Sequence, residues 1–108
     1  MIYRLFSIYD TVLETYHLPF AAVSDREAMR TLHLSMLDEQ SMLYQSANDY
    51  TLYEVGSYDD SNANYINNLH IHTIRLSEIK NQINLNKKNQ IQDLLTEQQQ
   101  SNGEYYNA

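Results

Sequence analysis

Cysteine and tryptophan are absent from the 108 residues, and glycine and proline are nearly so, at 2 and 1. Without cysteine, disulfides, thiol catalysis and Cys-ligated zinc are excluded together. Two glycines cannot furnish a Gly-rich phosphate loop, a nucleophile elbow or a dinucleotide fingerprint. Positive charge is also scarce. With 7 Lys+Arg against 14 Asp+Glu the net charge is −7, so an even basic coat for gripping nucleic acid is excluded and only a local patch remains. No apolar run approaches the ~20 residues of a membrane-spanning helix. The opening residues lack the apolar core of a signal peptide, and the expectation is a soluble, intracellular protein. What the chain has in abundance is tyrosine, 10 in all.

Composition divides the chain near residue 61. Residues 1–60 hold seven tyrosines, both phenylalanines and ten acids; from Ser61 onward asparagine and glutamine dominate. Ile2 to Asp10 reads as a strand, with Ile2, Arg4, Phe6 and Ile8 on one face and Tyr3, Leu5, Ser7 and Tyr9 on the other. Residues 10–16 connect it to an extended piece, His17–Val23, where Pro19 disfavours helix. Ser24-Asp25-Arg26-Glu27 is a capping box: Ser24 caps the amide of Glu27, and Glu27 reaches back to Ser24. The helix it opens runs to about Glu39, with Ala28, Met29, Leu32, Met36 and Leu37 as its apolar stripe.

After a polar loop, Tyr50–Tyr58 is the strongest strand, closed by a turn at Asp59-Asp60-Ser61-Asn62. Leu69–Arg75 reads as one more strand. A helix follows from Leu76 to about Gln98, with a break expected near Asn86. The fold class expected is α+β: a small, largely antiparallel sheet of three or four strands, one packed helix and a C-terminal helix. Residues 1–75 form the domain, 76–98 the C-terminal helix, and 99–108 a disordered tail. Leu76, Ile79, Ile83, Ile91, Leu94 and Leu95 make a thin stripe that needs a surface to bury against, so self-association is expected.

The phrases Ile8-Tyr9-Asp10, Pro19-Phe20, Ser24-Asp25-Arg26-Glu27-Ala28 and Asp49 to Asp60, in that order and spacing, resemble the small nonstructural protein of gokushoviruses. These are microviruses with single-stranded circular DNA genomes. The resemblance covers residues 2–60, and the Asn/Gln-rich part after Ile66 lies outside it. It implies a phage-encoded protein of the host bacterial cytoplasm. The function it implies is single-stranded DNA binding, or the switch from duplex replication to making and packaging single strands. It carries over no catalytic or binding residue.

Single-strand binders stack bases on aromatic rings beside a basic groove. Tyr50, Leu52, Glu54, Gly56 and Tyr58 share a face by alternation, so Tyr3, Tyr9, Tyr50 and Tyr58 are the expected stacking platform, with Gly56 leaving space for a base. Tyrosine is also a favoured strand residue that packs its ring and wets its hydroxyl. Arg4, Arg26 and Arg30, with Arg75, Lys80, Lys87 and Lys88, are the expected phosphate contacts; a solvated helix face is the simpler explanation of the last four. His70 and His72, with His17 or Asp59, have a spacing seen in metal sites, and Asp59-Asp60 with Asp49 suggest a magnesium-dependent nuclease, though without a Lys or Glu at a diagnostic spacing. Both patterns suit ordinary surface and turn residues, so no metal, cofactor or enzymatic activity is expected. The alternative function is an adaptor that binds a phage or host replication or assembly protein through a sheet edge or the C-terminal helix.

Overall fold

In the computed structural model, residues 1–67 and 69–107 are described, the stretch 98–107 by its backbone alone. The elements are β1 (Ile2–Asp10), β2 (Thr15–Tyr16), β3 (Phe20–Ala22), α1 (Asp25–Met36), α2 (Met42–Gln45), a 3₁₀ turn (Ala47–Asp49), β4 (Tyr50–Asp59), β5 (Asn64–Ile66), β6 (Ile71–Arg75) and α3 (Leu76–Asn107). The fold is α+β. All pairings are antiparallel, and β1 and β4 run side by side over their whole length as the sheet's centre.

Six strands among the described residues occupy four positions, because each edge comes in two pieces. β2 and β3 both pair with β1, and β5 and β6 both pair with β4. Of the extended piece expected over His17–Val23 only Phe20–Ala22 is strand, and β2 lies before it, in the 10–16 stretch expected as a connection; Pro19, between the two, sits at an edge position that tolerates its missing amide. The second edge is interrupted between Ile66 and Ile71, so β6 begins two residues later than the expected Leu69.

α1 starts where the capping box sets it. Ser24 Oγ accepts the Glu27 amide at 3.1 Å. The Glu27 carboxylate accepts the amide of Val23, at 3.1 Å, rather than that of Ser24. The helix ends at Met36, short of Glu39. Ser41 then caps the single turn α2, in the stretch expected as loop. Ala28, Leu32 and Met36 face the sheet and are buried; Leu37, assigned to the same stripe, is half exposed.

The core lies between one sheet face and the helices. Phe6, Ile8, Tyr50 and Leu52 meet Ala28, Leu32 and Met36 of α1 and Leu76, Ile79 and Ile83 of α3. α3 follows β6 directly and continues without a break at Asn86, 32 residues in all, about 48 Å at 1.5 Å per residue. Only its start joins the core: Leu85, Ile91, Leu94 and Leu95 are exposed. Of the expected tail, 99–107 are helical backbone and Ala108 lies outside the described residues.

Candidate functional site

Cross-strand partners project to the same face of a sheet, so the register assigns every strand residue to a side. β1 pairs Phe6 with Glu54 but Leu5 with Gly56, leaving Val55 as the extra residue of a β-bulge in β4. A bulge reverses the alternation beyond it. Tyr50, Leu52 and Glu54 therefore face the helices, whereas Gly56 and Tyr58 face the other way, with Leu5 and Tyr3. The expectation that Tyr50 and Tyr58 share a face is corrected: Tyr50 is a core residue, 4% exposed, with its ring edge-on to His17 at 5.4 Å.

The face away from the helices collects Tyr3, Tyr9, Tyr16, Tyr53, Tyr58 and Tyr65, together with Leu5, Ser7, Ala21, Thr51, His72 and Arg75. The strand carboxylates paired in the sheet, Asp10, Glu54 and Asp59, all lie on the opposite face. An acidic chain thus presents a sheet face that is aromatic and, among its paired residues, free of carboxylates, with Arg75 as its one full charge.

At one end of this face the rings touch. Tyr9 and Tyr16 have centroids 4.8 Å apart, and Tyr53 meets both edge-on at 6.4 and 6.1 Å. His70 stacks on Tyr53 at 4.3 Å, and His72 approaches the same ring edge-on at 5.8 Å. Tyr16 Oη and His70 Nδ1 are 3.0 Å apart. Burial, then the neighbouring Tyr53 and Tyr9, push the Tyr16 phenol above its ordinary value, so the ring is neutral over the physiological range. Tyr3 and Tyr58 pair at the far end, beside Tyr65.

Gly56 separates the two groups, and its role differs from the one expected. A β-carbon there would lie 1.9 Å from the carbonyl oxygen of Ile66 and 3.0 Å from Asn67 Cα. The absent side chain makes room for the chain's own backbone, not for a base. The same stretch is tied back by the Leu69 amide, which donates to the Val55 carbonyl at 3.2 Å. Beside it lies a cavity of about 310 Å³ on the tyrosine face, bounded by Tyr16, Pro19, Val55, Tyr65, Asn67, Leu69 and His70.

The basic residues are distributed differently. Arg4 lies on the helix side. Its guanidinium bonds the Glu54 carboxylate at 2.5 Å, stands 4.0 Å from Asp25 and covers the Phe6 ring. That ion pair makes Arg4 a fold residue. Lys80 and Lys87 lie over the Tyr44 ring, and Lys87 also pairs with Glu39, which raises its pKa. Lys88 is exposed on α3. Arg26 and Arg30, one turn apart as expected, line a groove of about 300 Å³ with Met29, His33, Ile74 and Ile79, between α1 and α3. The structure therefore brings Tyr3, Tyr9, Tyr58 and Arg75 onto one face, and leaves Tyr50, Arg4, Arg26, Arg30, Lys80, Lys87 and Lys88 off it.

Neither metal pattern is assembled. Asp49 and Asp59 sit at opposite ends of the ten-residue β4, on the order of 30 Å apart at 3.3 Å per residue. Asp59 accepts the Ser61 amide and hydroxyl, which hold its carboxyl below the usual range, and Asp60 pairs with the N-terminal amine. Among the described residues no group of three His, Cys, Asp or Glu is placed to hold a metal ion. No helix of the described residues is long and apolar enough to cross a membrane.

Tyr16, Tyr53 and Tyr65 belong to the tyrosine face yet were not among the sequence candidates, and His70 and His72, weighed there only as metal ligands, join it too. Gly56 carried the signal: an isolated glycine inside a strand marks a bulge or a close backbone approach. Allowing for a bulge there moves Tyr58 to the side of Tyr53.

No curated protein and no solved structure matches the chain. A family model described as Phage ORF5 protein matches residues 3–79. The matched span runs from β1 into the first turn of α3, beyond the 2–60 of the sequence resemblance, and takes in both pieces of the second sheet edge. Carrying that match over most of its length, the chain belongs to the Phage ORF5 protein family.

Proposed function

We propose that this phage protein associates with single-stranded DNA, without catalysis, through the tyrosine face of its sheet. The observation that carries the reading is the sorting of side chains. In a chain of net charge −7, the paired strands turn six tyrosines, His72 and Arg75 to one side and their carboxylates to the other. Neutral rings at a half-exposed surface suit base stacking, which tolerates any sequence, and the missing carboxylates spare an approaching phosphate chain local repulsion. In this reading Tyr9, Tyr16, Tyr53, Tyr58 and His70 contact bases and Arg75 contacts phosphate. The phrases shared with the gokushovirus nonstructural protein support placing the chain in a single-stranded DNA phage, acting in the host cytoplasm during genome replication or packaging.

Fluorescence anisotropy of a labelled single-stranded oligonucleotide, beside a duplex control at two salt concentrations, tests this. Preference for the single strand, weakened only modestly by salt because few phosphates are contacted, is expected. Equal affinity for duplex contradicts it.

One observation favours the adaptor as a second reading. Ile91, Leu94 and Leu95 are exposed on the part of α3 beyond the core. A partner or a second copy would cover them. Light scattering over a range of concentrations checks this: a constant monomer mass removes self-association.

A further inference from the structure

The geometry points to the cavity beside Gly56 as a slot for one nucleobase. The inference rests on the single-strand reading and names where on the tyrosine face a base is held. At about 310 Å³ the cavity stands at the low end of ligand pockets, which run from roughly 300 to 1,000 Å³, and so fits a base-sized group. Among the described residues its lining, which also includes Ser7 and His17, carries no Asp, Glu, Lys or Arg, although charged residues make up 19% of the chain. A charged ligand would find no carboxylate, ammonium or guanidinium there among the described residues, whereas a neutral planar ring needs none. Tyr16, Tyr65 and His70 supply aromatic walls, and Val55 and Leu69 an apolar surface. Asn67 supplies an amide, donor and acceptor side by side, which is the pattern a base edge presents in return.

Part of the wall is held by contacts within the protein itself. Tyr16 is held by Tyr9, by Tyr53 and by its contact with His70. The Ile66–Asn67 backbone is seated against Gly56, and Leu69 is bonded to Val55. A slot that needs no reorganisation loses less on binding than a mobile one.

The test uses the full-length protein in three arms. In the first, an oligothymidylate is compared with an abasic strand of equal length, and a loss of at least about tenfold in affinity is expected without bases. In the second, thymidine monophosphate and deoxyribose phosphate are titrated separately while backbone amide shifts are followed by NMR. The nucleotide alone should move Tyr16, Asn67 and Leu69. In the third, Leu69→Trp fills the slot from an exposed position, and Asn67→Ala removes its amide. About tenfold and about threefold weaker oligonucleotide binding are expected, with thermal melting unchanged.

If wild type binds the oligonucleotide but both variants bind equally well, the slot is overturned and the tyrosine face stands. If the nucleotide moves the slot residues but no strand binds, the slot is kept and takes free nucleotides, while the strand reading fails. Neither strand binding nor nucleotide shifts overturns both.

Discussion

On the helix-covered face of the sheet Phe6 and Leu52 lose all contact with solvent, while on the opposite face Tyr16 and Tyr65 keep 45% and 49% of theirs. Both faces are built from the same strands and both are rich in large side chains. They differ in what covers them. Aliphatic and phenylalanine side chains meet α1 and the start of α3 and make a dry core. Tyr9, Tyr16 and Tyr53 instead pack their rings on one another. Polar groups are buried on both faces, and each is compensated. Glu54, 8% exposed, is held on the core side by the charge of Arg4, whereas Ser7, 2% exposed on the tyrosine side, needs only a neutral hydrogen bond, donated to the His17 carbonyl at 2.6 Å. One face makes the dry core, and the other leaves an aromatic surface in part open to solvent.

The largest expected effect breaks the comparison if it fails. Leu52→Ala should cost about 2–5 kcal/mol in urea unfolding, whereas Tyr53→Ala, next to it on the open face, should cost under about 1.5 kcal/mol. Equal losses would mean that the two faces are equally structural. Gly56→Ala comes next. Its β-carbon must displace the Ile66 backbone, so about 1–3 kcal/mol of stability and protection of the Leu69 amide from hydrogen exchange should be lost together. Glu54→Gln leaves the Arg4 guanidinium without its strong partner. Because Arg4 is 38% exposed, the expected loss is only about 1 kcal/mol.

The smallest effect concerns alkaline pH. Burial first, then Asp10 and Asp49, push the Tyr50 phenol above the usual tyrosine range, and Tyr16 shifts the same way. The folded state then keeps protons that the unfolded state releases, so the contribution is full below about pH 10 and is lost as pH rises through the folded value. A Tyr50→Phe variant should show a shallower alkaline fall in stability than wild type.

Much of the fold was legible because local signals were strong. Alternation marked β1 and β4, and the Ser24 box placed the start of α1 to the residue. Short edge pieces such as β2 and β5 hold two or three residues, too few for a period to register, and α2 is a single turn defined by its Ser41 cap. The candidate site was legible in composition but not in geometry. Counting in twos put Tyr50 and Tyr58 together, and a single bulged residue, Val55, parted them. The same slip left Tyr53, the ring at the centre of the cluster, off the candidate platform.

Whether the tyrosine face binds a single strand, as proposed, is tested most directly by one paired measurement. A labelled oligonucleotide is titrated with wild type, with a Tyr16→Ala/Tyr53→Ala double variant of the open face, and with an Arg26→Ala/Arg30→Ala double variant of the helix side. Binding should weaken by at least about tenfold in the tyrosine variant and by less than about threefold in the arginine variant. The reverse order, or no binding by wild type at low salt, would contradict the assignment of the tyrosine face.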